Sequence, residues 1–156
     1  MMFAQDRTAA PLSDNEKIAW LRLIRTENVG PITFYNLIDS FGSASKAIEA
    51  LPTLSRKGGR LKDLKVFDTG AAISEMESLQ KRGGKMLFAA DALYPLALAA
   101  IDDAPPVLSI LGNPKLLNLP AIGMVGARNA SLNGCKFAEK IARDLGAGGQ
   151  MVVSGL

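Results

Sequence analysis

The residues from Ala121 to Gly134 read Ala-Ile-Gly-Met-Val-Gly-Ala-Arg-Asn-Ala-Ser-Leu-Asn-Gly, and they hold the chain's best chemistry for gripping an anion. An apolar run delivers the backbone to Gly126, and a helix leaves at about Ser131. At such a junction the free N–H groups and the positive dipole end of the helix converge on one spot, where anions are favoured. Ligands of open α/β sheets bind beyond the carboxyl ends of the strands, which is where this turn falls. Arg128 adds a permanent charge whose fork of donors matches phosphate. Only Gly126 stands in the tight turn, and the bulky Arg128 follows two residues later. That departs from Gly-x-Gly-x-x-Gly and argues against a pyrophosphate packed on bare backbone. It favours a phosphate held by a side chain in an open pocket. The same pattern also describes an ordinary strand-to-helix turn with an exposed arginine.

Two further segments carry phosphate-directed chemistry. Asn28-Val-Gly-Pro-Ile-Thr-Phe-Tyr-Asn-Leu37 resembles a helix-hairpin-helix element, in which a glycine turn lets backbone N–H groups meet a DNA phosphate without reading bases. Gly30 is the candidate contact, Asn28 stands where the first of two glycines is usual, and Phe34 stands where a small residue is common. A helix hairpin that merely packs fits the same residues. Leu54 to Val66 sets Arg56, Lys57, Arg60, Lys62 and Lys65 against Asp63 alone, around Gly58-Gly59. Lys57 and Arg60 are secondary candidates for nonspecific, salt-sensitive phosphate contact. A solvated basic loop is the plainer alternative. Cys135 falls early in the last helix with no base or second thiol near it in sequence, and reads as a small buried residue. Trp20, Tyr35 and Tyr94 read as core or half-buried packing residues.

Composition removes other chemistries. The 156 residues contain no histidine, which excludes Ser-His-Asp and Cys-His nucleophile pairs and imidazole-dependent zinc sites within them. One cysteine forms no internal disulfide and suits a reducing cytoplasm. No metal ligand cluster, catalytic residue or cofactor is expected. Met1 to Ala10 lacks the apolar core of a secretory signal. The most apolar stretch, Ala89 to Ile101, is interrupted by Asp91 and Pro95 and is too short to span a bilayer, so no membrane partner is expected. With 48% hydrophobic and 21% charged residues the chain is ordinary and globular, and a net charge of +3 makes the distribution of charge matter more than its total.

These residues need elements to position them. Residues 1–12 read as a flexible lead-in. Residues 13–84 read as a helical domain with a basic loop over 54–66. Ser13 to Glu16 is a capping box, with Glu16 expected to reach back to the cap. Ile18, Leu21 and Ile24, widened by Trp20 and Leu23, give a first buried stripe. Phe34, Leu37, Ile38 and Phe41 give a second helix its face, closed by Gly42. Ser43 caps a third, in which Ala47, Ile48 and Leu51 run to a stop at Pro52. Asp68 caps a fourth, with Ile73, Met76 and Leu79 inward, ending at Gly83-Gly84. Residues 85–156 change grammar to short apolar runs near 85–89, 107–111, 121–125 and 150–154, read as buried strands. Phe137, Ala138, Ile141 and Leu145 form the inner stripe of a helix between the last two, completing a parallel βαβ unit.

With these blocks in order, the chain is identified as resembling the DNA-processing protein A (DprA/Smf) family. Residues 91–112 are similar to its Y-P-x-x-L-x-x-I-x-D-x-P-P-x-L-x-x-x-G stretch, residues 121–129 to its V-G-S/T-R turn, and residues 150–156 to the opening of its V-V-S-G motif. Phe41 to Ala47 matches its F-G-S-x-x-x-A segment. The resemblance implies an all-helical domain (SAM-like, helix-hairpin-helix-like) followed by the first part of an extended Rossmann-like α/β domain. It implies a cytoplasmic protein that binds and protects single-stranded DNA during natural transformation and loads RecA, without catalytic turnover. It further implies a homodimer formed by a later part of the domain. Carried over, Gly126 supplies a turn and backbone N–H, Arg128 the charge, and Ala127 and Asn129 line the same pocket; Ser154 and Gly155 begin the neighbouring loop. Ala127 departs from the usual Ser or Thr and removes one hydroxyl donor.

The sequence stops inside the last motif, and a parallel strand at Met151 to Val153 wants neighbours on both sides, so a longer natural polypeptide is expected. The rival from another class is a Rossmann-like nucleotide or nucleoside-phosphate hydrolase using the same pocket. It needs an acid or base there, yet the nearest carboxylates in sequence, Glu139 and Asp144, lie well along the helix. A third reading makes residues 13–52 a protein-interaction module with the sheet as scaffold.

Overall fold

A computed structural model describes residues 11–57 and 65–155 and divides the chain into two compact units, meeting at Asn113 and Pro114. In the first, helix α1 (Asp14–Arg25) begins where Ser13 accepts a hydrogen bond from the Glu16 N–H at 3.3 Å. The Glu16 carboxylate does not reach back to that cap. It crosses to helix α3 (Ala44–Lys57), accepting from the Ala44 N–H and, at 2.7 Å, from the Ser45 hydroxyl. The first turn of α3 offers several donors and a positive dipole end, which outweigh the single N–H of a capping box.

Helix α2 (Pro31–Phe41) starts on Pro31, whose missing N–H is no loss at a first turn, and ends at Gly42 in the left-handed region. Ser43 caps α3 by accepting from the Lys46 N–H at 3.2 Å. The expected stop at Pro52 is not observed: α3 runs through it to Lys57, so Arg56 and Lys57 lie on a helix rather than in a loop. Pro52 removes one backbone hydrogen bond without ending the helix, whose part ahead of Pro52 is anchored by the buried Ala44, Ala47 and Leu51. Arg60 and the centre of the basic segment, like most of the expected lead-in, lie outside the described residues.

Helix α4 (Thr69–Lys81) is capped by Asp68, which accepts from the Ala71 N–H at 2.9 Å. Its inward residue is Ala72, with Met76 and Leu79 half-buried, whereas Ile73 is exposed. Arg25 pairs with Glu75 at 2.8 Å, tying α4 to α1. Ahead of α4, Phe67 is pinned to α1: its carbonyl accepts from Arg22 Nε at 2.9 Å and its N–H donates to Thr26 Oγ1 at 3.2 Å. The core of this unit is Trp20, edge-on to Phe34 with ring centroids 5.0 Å apart and edge-on to Phe88 at 6.2 Å.

Phe88 ends strand β1 (Gly84–Phe88), which pairs antiparallel with β2 (Val107–Leu111), Gly84 opposite Leu111 and Phe88 opposite Val107. Sequence grouped these strands with the later ones. Phe88 instead shares the helical core, so this hairpin belongs to the first unit. Gly84 is required by close approach: a Cβ there would sit 2.5 Å from Leu79 Cδ1 and 2.7 Å from the Ile110 carbonyl. The segment joining the strands is locked by the buried Tyr94, whose hydroxyl donates to the Pro105 carbonyl at 2.7 Å, and holds the short helix α5 (Leu96–Ala99).

The second unit is a 3-10 turn (Pro114–Asn118) followed by β3 (Ala121–Met124), helix α6 (Leu132–Ala147) and β4 (Met151–Ser154). The two strands are parallel, with Ala121 opposite Met151 and Met124 opposite Ser154. The expected inner stripe of α6 is only partly covered. Ile141 and Leu145 are half-buried, but Ala138 is exposed and Phe137 is 66% exposed. The reason is dimensional: 16 residues of helix run about 24 Å, while strands of 4 residues run about 13 Å. Cys135, expected to be buried, is exposed for the same reason.

Candidate nucleic-acid interface

Because β3 and β4 are parallel and in register, their carboxyl ends lie side by side, and Met124 opposite Ser154 marks the rim. From that rim two segments leave: Val125 to Ala130, and Ser154-Gly155. All of Val125 to Ala130 is exposed, as are Ser154 and Gly155. The structure therefore brings Gly126, Ala127, Arg128 and Asn129 to the same end of the unit as Ser154 and Gly155. Ser131 closes the turn as the N-cap of α6, its hydroxyl accepting from the Gly134 N–H at 3.2 Å. That leaves the N–H groups of Leu132 and Asn133 without an intrahelical acceptor, at the positive end of the helix.

Charge is partitioned between the units. Residues 114–156 carry Lys115, Arg128, Lys136, Lys140 and Arg143 against Glu139 and Asp144. That accounts for the whole +3 of the chain, and residues 1–113 are neutral. Within α6, Lys140 is held by Asp144 at 2.7 Å and Arg143 by Glu139 at 2.6 Å. The carboxylates nearest the turn in sequence are thus occupied on the helix. Arg128 is exposed and makes no ion pair among the described residues.

The glycines here are not used by the fold. Gly126 and Gly155 lack a positive φ, and a Cβ built on either meets nothing within 4 Å. Gly84, by contrast, is fixed by its own neighbours. At the rim, the only approach a Cβ would obstruct is one from outside.

In the helical hairpin, Asn28 takes φ +62, the left-handed conformation glycine usually supplies and asparagine tolerates. Gly30 has ordinary extended angles at the N-cap of α2, no side-chain cap, and open space around its Cα. Gly30 and Lys57 belong to the first unit, and Arg60 falls outside the described residues. Sequence reasoning passed over Lys136, the exposed cation of α6 that neither helical ion pair engages. The i,i+4 pairing of Glu139 with Arg143 and of Lys140 with Asp144 was the signal that singles it out.

Among the described residues, no helix is long and apolar enough to cross a membrane and no group of three metal-ligating side chains is present. A helical hairpin unit followed by an α/β region with small sheets defines the class of protein. Residues 14–78 match the family model described as a DprA-like N-terminal HHH domain, and residues 85–156 match that of DNA recombination-mediator protein A. The chain belongs to the DprA/Smf family. It is 26% identical over 161 aligned residues to protein Smf of Synechocystis sp., covering 93% of this chain and 39% of that protein. It is 41% identical over 66 residues to DNA processing protein DprA of Streptococcus pneumoniae, covering 42% of this chain and 23% of that protein. The chain thus spans well under half the length of these relatives.

Proposed function

We propose that this chain handles DNA in recombination by binding single strands through their phosphates at the β3–α6 turn. Arg128 supplies the charge clamp. The backbone at Gly126 and Ala127, the Asn129 side chain and the Ser154-Gly155 loop form the surrounding cradle. The observation that carries this reading is the charge partition: all net positive charge lies in the small unit that contains this turn, where Arg128 makes no ion pair among the described residues. Backbone capture of this kind reads no bases and weakens with salt. Membership in the DprA/Smf family supports the biological setting: protection of incoming DNA in natural transformation and loading of RecA, in the cytoplasm and as a homodimer. It is binding rather than turnover. Glu139 and Asp144, the carboxylates a hydrolase would draw on, are engaged by arginine and lysine on α6. Gly30 and Lys57 on the helical unit, and Arg60 three residues on from Lys57 in sequence, are secondary contacts in this reading.

A gel-shift titration with single- and double-stranded oligonucleotides at two salt concentrations tests it. Preferential retention of the single strand, lost as salt rises, is the expected result. Equal retention of both forms, or none of either at low salt, overturns it.

A further inference from the structure

The cations of the second unit are not equivalent. Lys140 and Arg143 are each neutralised on the helix, at 2.7 Å by Asp144 and at 2.6 Å by Glu139. Lys136 is exposed, and the carboxylate three residues on, Glu139, is taken by Arg143. Its position along α6 also differs. Lys136 lies one turn, about 6 Å of rise, beyond Leu132, the first helical residue. Helical side chains lean toward the N-terminus and cover the turn before their own Cα. From that position the long stem of Lys136 can reach back over Leu132 toward the Gly126–Asn129 turn. Lys140 sits a further turn away, and its partner Asp144 lies on the opposite, C-terminal side.

We infer that Lys136 is a second phosphate contact, taking the phosphate next to the one held at Arg128, while Lys140 and Arg143 are structural ion pairs that do not touch DNA. The inference rests on the β3–α6 turn being the DNA site, and it gives that site a direction: the strand leaves the turn along the first two turns of α6. A lysine suits this position, because a compact charge on a flexible stem follows a mobile backbone without demanding a fixed geometry.

The test is fluorescence anisotropy of a labelled oligothymidylate with the whole chain over a salt series. Each single-strand phosphate contact contributes about 0.7 to the slope of log affinity against log salt. Lys136→Ala is expected to lower the slope by about 0.7. Between about 50 and about 200 mM salt the parent then loses about 2.6-fold more affinity than the variant. Lys136→Arg keeps the parent slope, and Lys140→Ala and Arg143→Ala leave it unchanged. An unchanged slope in Lys136→Ala, with a reduced slope in Arg128→Ala, overturns the inference and spares the site. So do equal reductions from all three helix cations, which mean diffuse attraction. Unchanged binding in both Lys136→Ala and Arg128→Ala removes the site itself. Exposure of Lys136 makes loss of folding no obstacle, and far-ultraviolet circular dichroism of the variant checks it.

Discussion

At single residues, the most telling contrast is between two glycines. Gly84 is held by its surroundings, with a built Cβ 2.5 Å from Leu79 Cδ1 and 2.8 Å from Leu111 Cδ2. Gly126 has nothing within 4 Å. Gly84→Ala is expected to destabilise the protein by about 1–3 kcal/mol through overpacking, read as a lower urea midpoint. Gly126→Ala is expected to leave stability within about 0.5 kcal/mol, as surface changes do, while weakening single-strand binding by obstructing the backbone. A Gly126→Ala protein that binds as well as the parent removes the backbone from the account. Residue types at the turn were legible in the sequence, because a strand, a glycine, an arginine and a helix cap follow one another within a few positions. Asn28 was legible too: it stands where a glycine is usual, and it adopts the left-handed angles that glycine would supply. That Cys135 and Phe137 stay exposed was not legible, since neighbouring residues do not reveal how far a short sheet covers a longer helix.

Among elements, the helices were legible where local signals act alone and failed where two elements compete. Ser13, Ser43 and Asp68 cap the helices their positions suggest, and Ser131, where a helix start is expected, is the cap of α6. Glu16 follows no local rule, because the donors it serves belong to α3, in sequence far from α1. Removing that carboxylate exposes the first turn of α3. Glu16→Ala is therefore expected to cost about 1–2 kcal/mol, more than a surface substitution, in a denaturant titration. A loss no larger than that of Asn15→Ala would show that the crossing bond contributes nothing. Pro52 fails in the opposite sense: the local rule ends a helix, yet α3, anchored ahead of it by the buried Ala44, Ala47 and Leu51, continues to Lys57. The hairpin β1–β2 shows the same limit, since strand character was readable but its attachment to the helical core depends on Phe88 meeting Trp20.

For the whole molecule, the aromatic core and the net charge lie in different units. The first unit is neutral and carries the aromatic core. Burial pushes the Tyr35 phenol from 10.0 up to about 12, and pushes the Tyr94 phenol up as well. Between about pH 10 and about pH 12 the unfolded chain ionises these phenols while the folded one keeps them protonated, so stability is complete below that window and falls as pH rises through it. A denaturation midpoint that stays flat from pH 10 to 12 would contradict the burial. The second unit carries the net charge and the open turn, a division visible in the sequence only once the boundary at Asn113 and Pro114 is known. The central claim is tested most directly by measuring Arg128→Ala and the parent against labelled single strands of several sequences across a salt series. Phosphate capture by Arg128 gives a similar loss of affinity for every sequence and a slope shallower by about 0.7; unchanged affinity and slope would rule it out.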